Sequence, residues 1–196
     1  KVGSITEIND DKGLQKITIP TSKSLVLLST CSNDRDRVPE QITLGFESDT
    51  VVLNLKKLDT KLVVNFLNSC FMAHERVIGY DLKSSFRALI DLGVNLPEVE
   101  HDVLLGSFLI NSLRRDQSLS ELAASDINIH LDETVSTLAD QVAVIQGLYK
   151  QQQKEIAVIP SLKKLSQEIE WPIIPVLARM EQYGIHLDTQ YLNLMA

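Results

Sequence analysis

The sequence predicts an α/β (α+β layered) domain, a mixed sheet flanked by helices, and three observations carry that prediction. Short apolar runs of strand length crowd the first third of the chain. The middle alternates strand with helix, and the second half repeats its apolar residues at helical spacing with no further strand signal. With 196 residues, 44% of them hydrophobic and 23% charged, the chain has ordinary globular composition and length for one domain, or one domain plus an appended piece.

Gln15–Ile19 alternates and reads as a strand, Leu25–Ser29 is an unbroken apolar run, and Ile42–Phe46 and Val51–Leu55 follow. Ser48-Asp49-Thr50 suits the turn between the last two. The run at Leu25–Ser29 predicts an interior strand buried on both faces. Leu58, Leu62, Val63, Phe66, Leu67, Cys70 and Phe71 then recur at helical spacing, giving a helix over Leu58–Met72. Arg76–Tyr80 reads as a strand and Leu82–Leu92 as a helix, with Gly93 placed for a left-handed cap. Asp102–Asn111 is a helix capped by Asp102, Ser118–Ala124 a second with Glu121 at capping-box spacing, and Thr134–Lys150 a third. The polar Gln151–Glu155 run and Pro160 mark a boundary near Gln151–Ser161, which divides the chain into residues 1–160 and 161–196. The chain begins at Lys1 and stops in what still reads as a helix, as expected of a piece cut from a longer cytosolic protein.

Nineteen Lys and Arg against 26 Asp and Glu leave a formal charge of −7. A self-sufficient nucleic-acid binder needs cations for phosphate and rings for stacking, and with 5% aromatic residues this chain is poor in both. Cys31 and Cys70 give no disulfide framework or metal spacing and read as small buried thiols. His74, His101, His130 and His186 are scattered without ligand spacing and read as surface or structural residues. Asp34 and Asp36 alternate with Arg35 and Arg37 as solvated loop charges, and Trp171 reads as packing at a junction. No stretch is long and apolar enough for a membrane span, and no phosphate loop or nucleophile elbow is present.

Two stretches carry a family resemblance. Glu170-Trp171-Pro172-Ile173-Ile174-Pro175-Val176-Leu177-Ala178-Arg179-Met180-Glu181, running on to Gly184-Ile185-His186-Leu187-Asp188, closely resembles the segment that leads into the polymerase domain of family A polymerases, the bacterial DNA polymerase I family. His101–Ser112, with Leu119-Ser120-Glu121-Leu122-Ala123 after it, is similar to a helix and following element of that family's 3′–5′ exonuclease domain. The resemblance covers most of the chain from Leu25 onward. It implies a ribonuclease H-like 3′–5′ exonuclease fold over residues 1–160, followed by the helical start of the polymerase thumb. It also implies a cytoplasmic parent enzyme that makes DNA in replication and repair. Its partners would be the polymerase domain of the same chain and, through the parent, DNA. Mg²⁺ would serve the parent's polymerase domain, with no cofactor, metal or membrane for this piece.

Active proofreading domains of that family hold two divalent ions with four acidic residues, because hard dications about 3.5–4 Å apart need charged oxygen ligands. The matching positions here are Ser29 and Cys31 at the end of the first motif, Ser85 in the second, and Thr137 and Gln141 in the third. The resemblance therefore implies vestigial exonuclease positions, no catalytic residue and a supporting role. The competing reading is an active metal-dependent exonuclease with displaced carboxylates such as Asp81 and Asp140. The C-terminal segment predicts a helix over Pro172–Tyr183 with Ile173, Val176, Leu177 and Met180 turned to the body, and Tyr191, Leu192, Leu194 and Met195 exposed.

Overall fold

The computed structural model describes residues 4–20, 22, 24–31, 38–47, 49–74, 76–114, 117–132, 136–184, 191 and 195. Its strands are β1 (Ser4–Ile8), β2 (Leu25–Cys31), β3 (Pro39–Gly45), β4 (Asp49–Asn54), β5 (Arg76–Gly79) and β6 (Glu98–Asp102). They form one mixed sheet in the order β1-β4-β3-β2-β5-β6. β3 runs antiparallel to both its neighbours, whereas β1–β4, β2–β5 and β5–β6 are parallel pairs. Helices α1 (Asp11–Lys16), α2 (Thr60–Ala73), α3 (Leu82–Leu92), α4 (Val103–Ile110), α5 (Leu119–Ile127), α6 (Leu138–Val158), α7 (Pro160–Leu165) and α8 (Trp171–Tyr183) complete the fold, with a π turn at Ser166–Glu170 between the last two.

The expected interior strand is β2, flanked by β3 and β5. Its pleat explains why an unbroken apolar run suits it. Leu25 and Leu27 point into one core with Val63, Leu67, Phe86 and Leu89, while Val26 and Leu28 point into a second with Leu122, Val142, Ile145 and Leu148. Fully burying one such side chain is worth roughly 1.5–3 kcal/mol, so each face of the strand holds a helical layer in place. α2, α3 and the left-handed Gly93 cap (φ 79°) follow the predicted pattern. Ser118 accepts from the Glu121 N–H to start α5.

The structure corrects several expectations. Gln15–Ile19 is not a strand: Asp10 accepts from the Gly13 N–H at 2.6 Å and starts α1, which buries Leu14 and ends at Lys16. β1 and β6 lie at the two sheet edges, and their charged or exposed residues gave no strand pattern. The helix expected from Thr134 begins at Leu138, since Thr137 and Asp140 form a capping box, and it continues to Val158. The polar run Gln151–Glu155 is thus interior to α6, where Gln152 is buried, and the first break comes at Ile159–Pro160. Cys70 is buried as expected, but Cys31 is exposed at the end of β2. The Asp34–Arg37 charges, Ser48, Thr134–Val135, the Ile185–Asp188 stretch, Leu192 and Leu194 lie outside the described residues.

α8 is the expected helix with its faces exchanged. Trp171, Ile174 and Ala178, spaced i, i+3, i+7, enter the core, and Ile173, Val176, Leu177 and Met180 are 39%, 50%, 38% and 61% exposed. Both faces are apolar, so the stripe alone does not select one. The indole of Trp171, wedged against His101 at a centroid distance of 4.8 Å, chooses the inner face. At the far end Glu181 pairs with Lys83 at 2.7 Å and Arg87 at 3.3 Å, both on α3. Tyr191 and Met195 are exposed as expected.

Candidate functional site

A cleft of about 460 Å³ opens where β2, α3 and α6 converge. It collects three of the five singled-out residues: Ser29 near the end of β2, Ser85 in the first turn of α3, and Gln141 in the first turn of α6. Ser29 Oγ donates to Ser85 Oγ at 3.3 Å, which places these two motifs in direct contact across 56 residues of chain. Cys31 and Thr137 are not brought in. The ladder shifts register between Thr30 and Cys31, carrying the thiol to the exposed strand end. Thr137 caps α6, donating through its hydroxyl to Asp140 Oδ2 at 2.7 Å and accepting from the Asp140 N–H at 3.2 Å.

Hydroxyls dominate the described lining: Ser84, Ser118, Ser120, Ser136 and Tyr80 join Ser29 and Ser85. Asp81 is the one carboxylate among the described lining residues. Its oxygens cap α3, one accepting from Ser84 Oγ at 2.6 Å and the other from the Ser84 N–H at 3.4 Å. Asp140, the other carboxylate of the competing reading, is held by Thr137, whose hydrogen bonds lower its pKa. Hydroxyl and amide oxygens are neutral ligands, so among the described lining residues one carboxylate does not offset two dications, and that described donor set does not fit a two-metal centre. Among the described residues no group of three His, Cys, Asp or Glu is placed to hold a metal.

Behind the cleft sits Asp102, a residue whose full role the sequence did not reveal. It ends β6, is 4% exposed, and starts α4 by accepting from the Leu104 and Leu105 N–H groups at 2.9 and 3.2 Å. Its second oxygen accepts from the Leu82 N–H at 2.7 Å, so one carboxylate also fixes the start of α3, which carries Ser85. Burial pushes its pKa up to about 6, against those three hydrogen bonds. The N-cap position was legible; the burial and the second helix were not, because the strand Glu98-Val99-Glu100-His101-Asp102 is largely charged. A larger groove, about 630 Å³, opens between β6 and α8. There Arg76 pairs with Glu98 and Glu100 at 3.2 and 3.5 Å.

Comparison with curated proteins gives DNA polymerase I of Synechocystis sp., 28% identical over 129 residues. DNA polymerase I of Caldicellulosiruptor bescii is 30% identical over 145 residues, and that of Borreliella burgdorferi 24% over 154. These alignments take in 56%, 72% and 69% of this chain.

The chain is a relative of DNA polymerase I.

It spans only 13–17% of the length of those polymerase I proteins. No protein-family profile matches it. Among solved structures, the Pol domain of Pol1 from M. smegmatis, complexed with DNA primer-template and dNTP, superposes with a TM-score of 0.75 at 21% identity. That match covers 98% of this chain and 34% of the other. RNase D of Trypanosoma brucei, in complex with RNA U12, gives 0.62 at 16% identity over 76% of this chain and 62% of that one. A nuclease in its apo form gives 0.64 at 12% identity over 92% of both chains. These likenesses fix the fold alone, a mixed sheet flanked by helices of the ribonuclease H-like type.

Proposed function

We propose that this chain is the 3′–5′ exonuclease-like domain of a DNA polymerase I, joined to the first helices of the polymerase portion, and that it supports the parent enzyme without proofreading. On this reading residues 1–160 are the nuclease-like body and residues 161–196 begin the polymerase portion. The parent, a cytoplasmic enzyme, would use Mg²⁺ to make DNA in replication and repair, with DNA held elsewhere in the molecule. The relatives named DNA polymerase I support the parentage. The single observation that carries the supporting role is the cleft. Ser29, Ser85 and Gln141 meet there as the motifs of a nuclease would, but they bring hydroxyls and an amide where that chemistry needs carboxylates. Asp81 and Asp140 do not replace them, because each is engaged in capping its own helix. The body instead gives α8 a seat, through Trp171 at one end and the Glu181 ion pairs at the other.

The test is degradation of a 5′-labelled single-stranded oligonucleotide in Mg²⁺ or Mn²⁺. No shortening is expected from this chain, and the full-length parent should extend primers while leaving a 3′ mismatch unexcised. Metal-dependent shortening that disappears in Asp81→Ala would establish the displaced-carboxylate nuclease instead.

A further inference from the structure

His101 is a titratable ring, 3% exposed, at a point where four elements meet. It projects from β6 against Tyr149 of α6 and Trp171 of α8, with centroids 5.3 and 4.8 Å away and the rings edge-on or tilted. Its Nε2 lies 2.8 Å from Gln152 Oε1, and the Gln152 amide nitrogen donates to the Val103 carbonyl at 3.0 Å. Since that nitrogen is committed to a carbonyl, the amide oxygen faces the ring and Nε2 carries the proton. Gly106 of α4 makes room for the pair: a Cβ there would stand 2.4 Å from Gln152 Oε1 and 2.8 Å from His101 Nε2. Among the described residues nothing bonds Nδ1.

The surroundings of the ring act in opposite directions: Glu100 and the Gln152 oxygen favour a cation on it, and burial, the larger effect, disfavours one. Glu100 of β6 is already shared between the Tyr149 hydroxyl at 3.2 Å and Arg76 at 3.5 Å. Lys163 of α7 lines the small cavity, about 250 Å³, that runs past His101 to Ser166 and Trp171. α6 adds Tyr149, α4 (Val103–Ile110) has no titratable residue, and α8 meets the ring through Trp171.

We propose that His101 is an acid-sensitive latch for α8: with one proton it seats Trp171 against β6 and α6, and a second proton releases that end of the helix. The second proton goes to Nδ1, producing an imidazolium in a buried site without an acceptor. Opening toward the cavity hydrates it, and the cavity borders the start of α8. Burial is the main cause that lowers the pKa of His101 from its ordinary 6.5, so the seated state binds the proton more weakly than the open one. Seating is therefore complete above pH 6.5 and is lost as pH falls.

Trp171 is the only tryptophan, which makes it a reporter beside the ring. In a titration from about pH 8 to about pH 5, its fluorescence should change in one protonation step with a midpoint below 6.5. Amide exchange in α8, corrected for intrinsic rate, should speed up by as much as tenfold per unit of pH below 6.5 while the α3 amides stay protected. Gln152→Glu, which sets an anion against Nε2, should move the midpoint upward, and His101→Gln should abolish the step. Should His101→Gln fail to fold, the ring's own NMR titration in the unaltered chain decides. A midpoint at or above 6.5, a step that ignores Gln152→Glu, or α8 and α3 opening together would each overturn the latch.

Discussion

At Asp102 one carboxylate serves two helix starts, and the consequences of removing it differ by substitution. Asp102→Ala leaves the Leu82, Leu104 and Leu105 N–H groups without their acceptor in a buried site. Losing an N-cap and stranding buried donors costs about 2–4 kcal/mol, measurable as a lower urea midpoint with an unchanged slope. Asp102→Asn keeps one of the two acceptor oxygens and sheds the charge but sets its amide NH2 against the other helix start, so it should cost less than Asp102→Ala without being neutral. The pH dependence has a definite sign. The folded pKa of about 6 lies above the ordinary 3.8, so the folded state holds this proton more tightly than the unfolded chain. The resulting contribution is whole below pH 3.8 and disappears as pH rises through 6. His101 acts in the opposite sense, and the two are separable: Asp102→Asn should flatten the acid-side gain in stability while leaving the Trp171 titration in place.

At the scale of elements, α8 shows what periodicity can and cannot decide. Its helical spacing and its termination at Gly184 were legible, but with apolar residues on two faces the buried one was not. Packing assigns it, and substitutions should report the assignment. Trp171→Ala removes a large side chain from the core and should cost about 3–5 kcal/mol in chemical denaturation. Val176→Lys or Met180→Lys, on the outward face, should change the stability of this chain by less than about 0.5 kcal/mol. Equal losses on both faces would mean that the outward stripe is covered in solution. The strands divide for a related reason. β2 was legible because its first four residues, buried on both faces of the sheet, are all apolar, and α2 and α3 because their cores lie on one side. β1 and β6, as edges, carry exposed or charged residues that leave no alternation to read. In the site, the meeting of Ser29, Ser85 and Gln141 followed from the resemblance. The departure of Cys31 and Thr137 depended on a ladder shift and a capping box that only three-dimensional packing reveals.

For the whole molecule, the proposed supporting role predicts that the cleft gains a dication only when carboxylates are added to it, and adding that charge is the test. The triple variant Ser29→Asp, Ser85→Asp, Gln141→Asp puts three carboxylates into the cleft beside Asp81. Ser29 Oγ and Ser85 Oγ are 3.3 Å apart, so two carboxylates there repel and cannot both ionise without raising one another's pKa. Without metal the variant should therefore be less stable than the natural chain at neutral pH, and more so as pH rises. A dication bound between the carboxylates reverses that penalty. It stabilises the folded state by about 2.7 kcal/mol when present at a hundredfold excess over its dissociation constant. The expected outcome is a melting temperature raised by millimolar Mn²⁺ in the triple variant and unmoved in the natural chain, with calorimetric binding in the variant alone. If Mn²⁺ stabilises the natural chain equally, its hydroxyl-lined cleft already binds metal and the supporting role fails. If it stabilises neither, the backbone around Ser29, Ser85 and Gln141 does not hold carboxylates at the spacing of a two-metal site. The scaffold itself, and not only its side chains, would then be unsuited to two-metal chemistry.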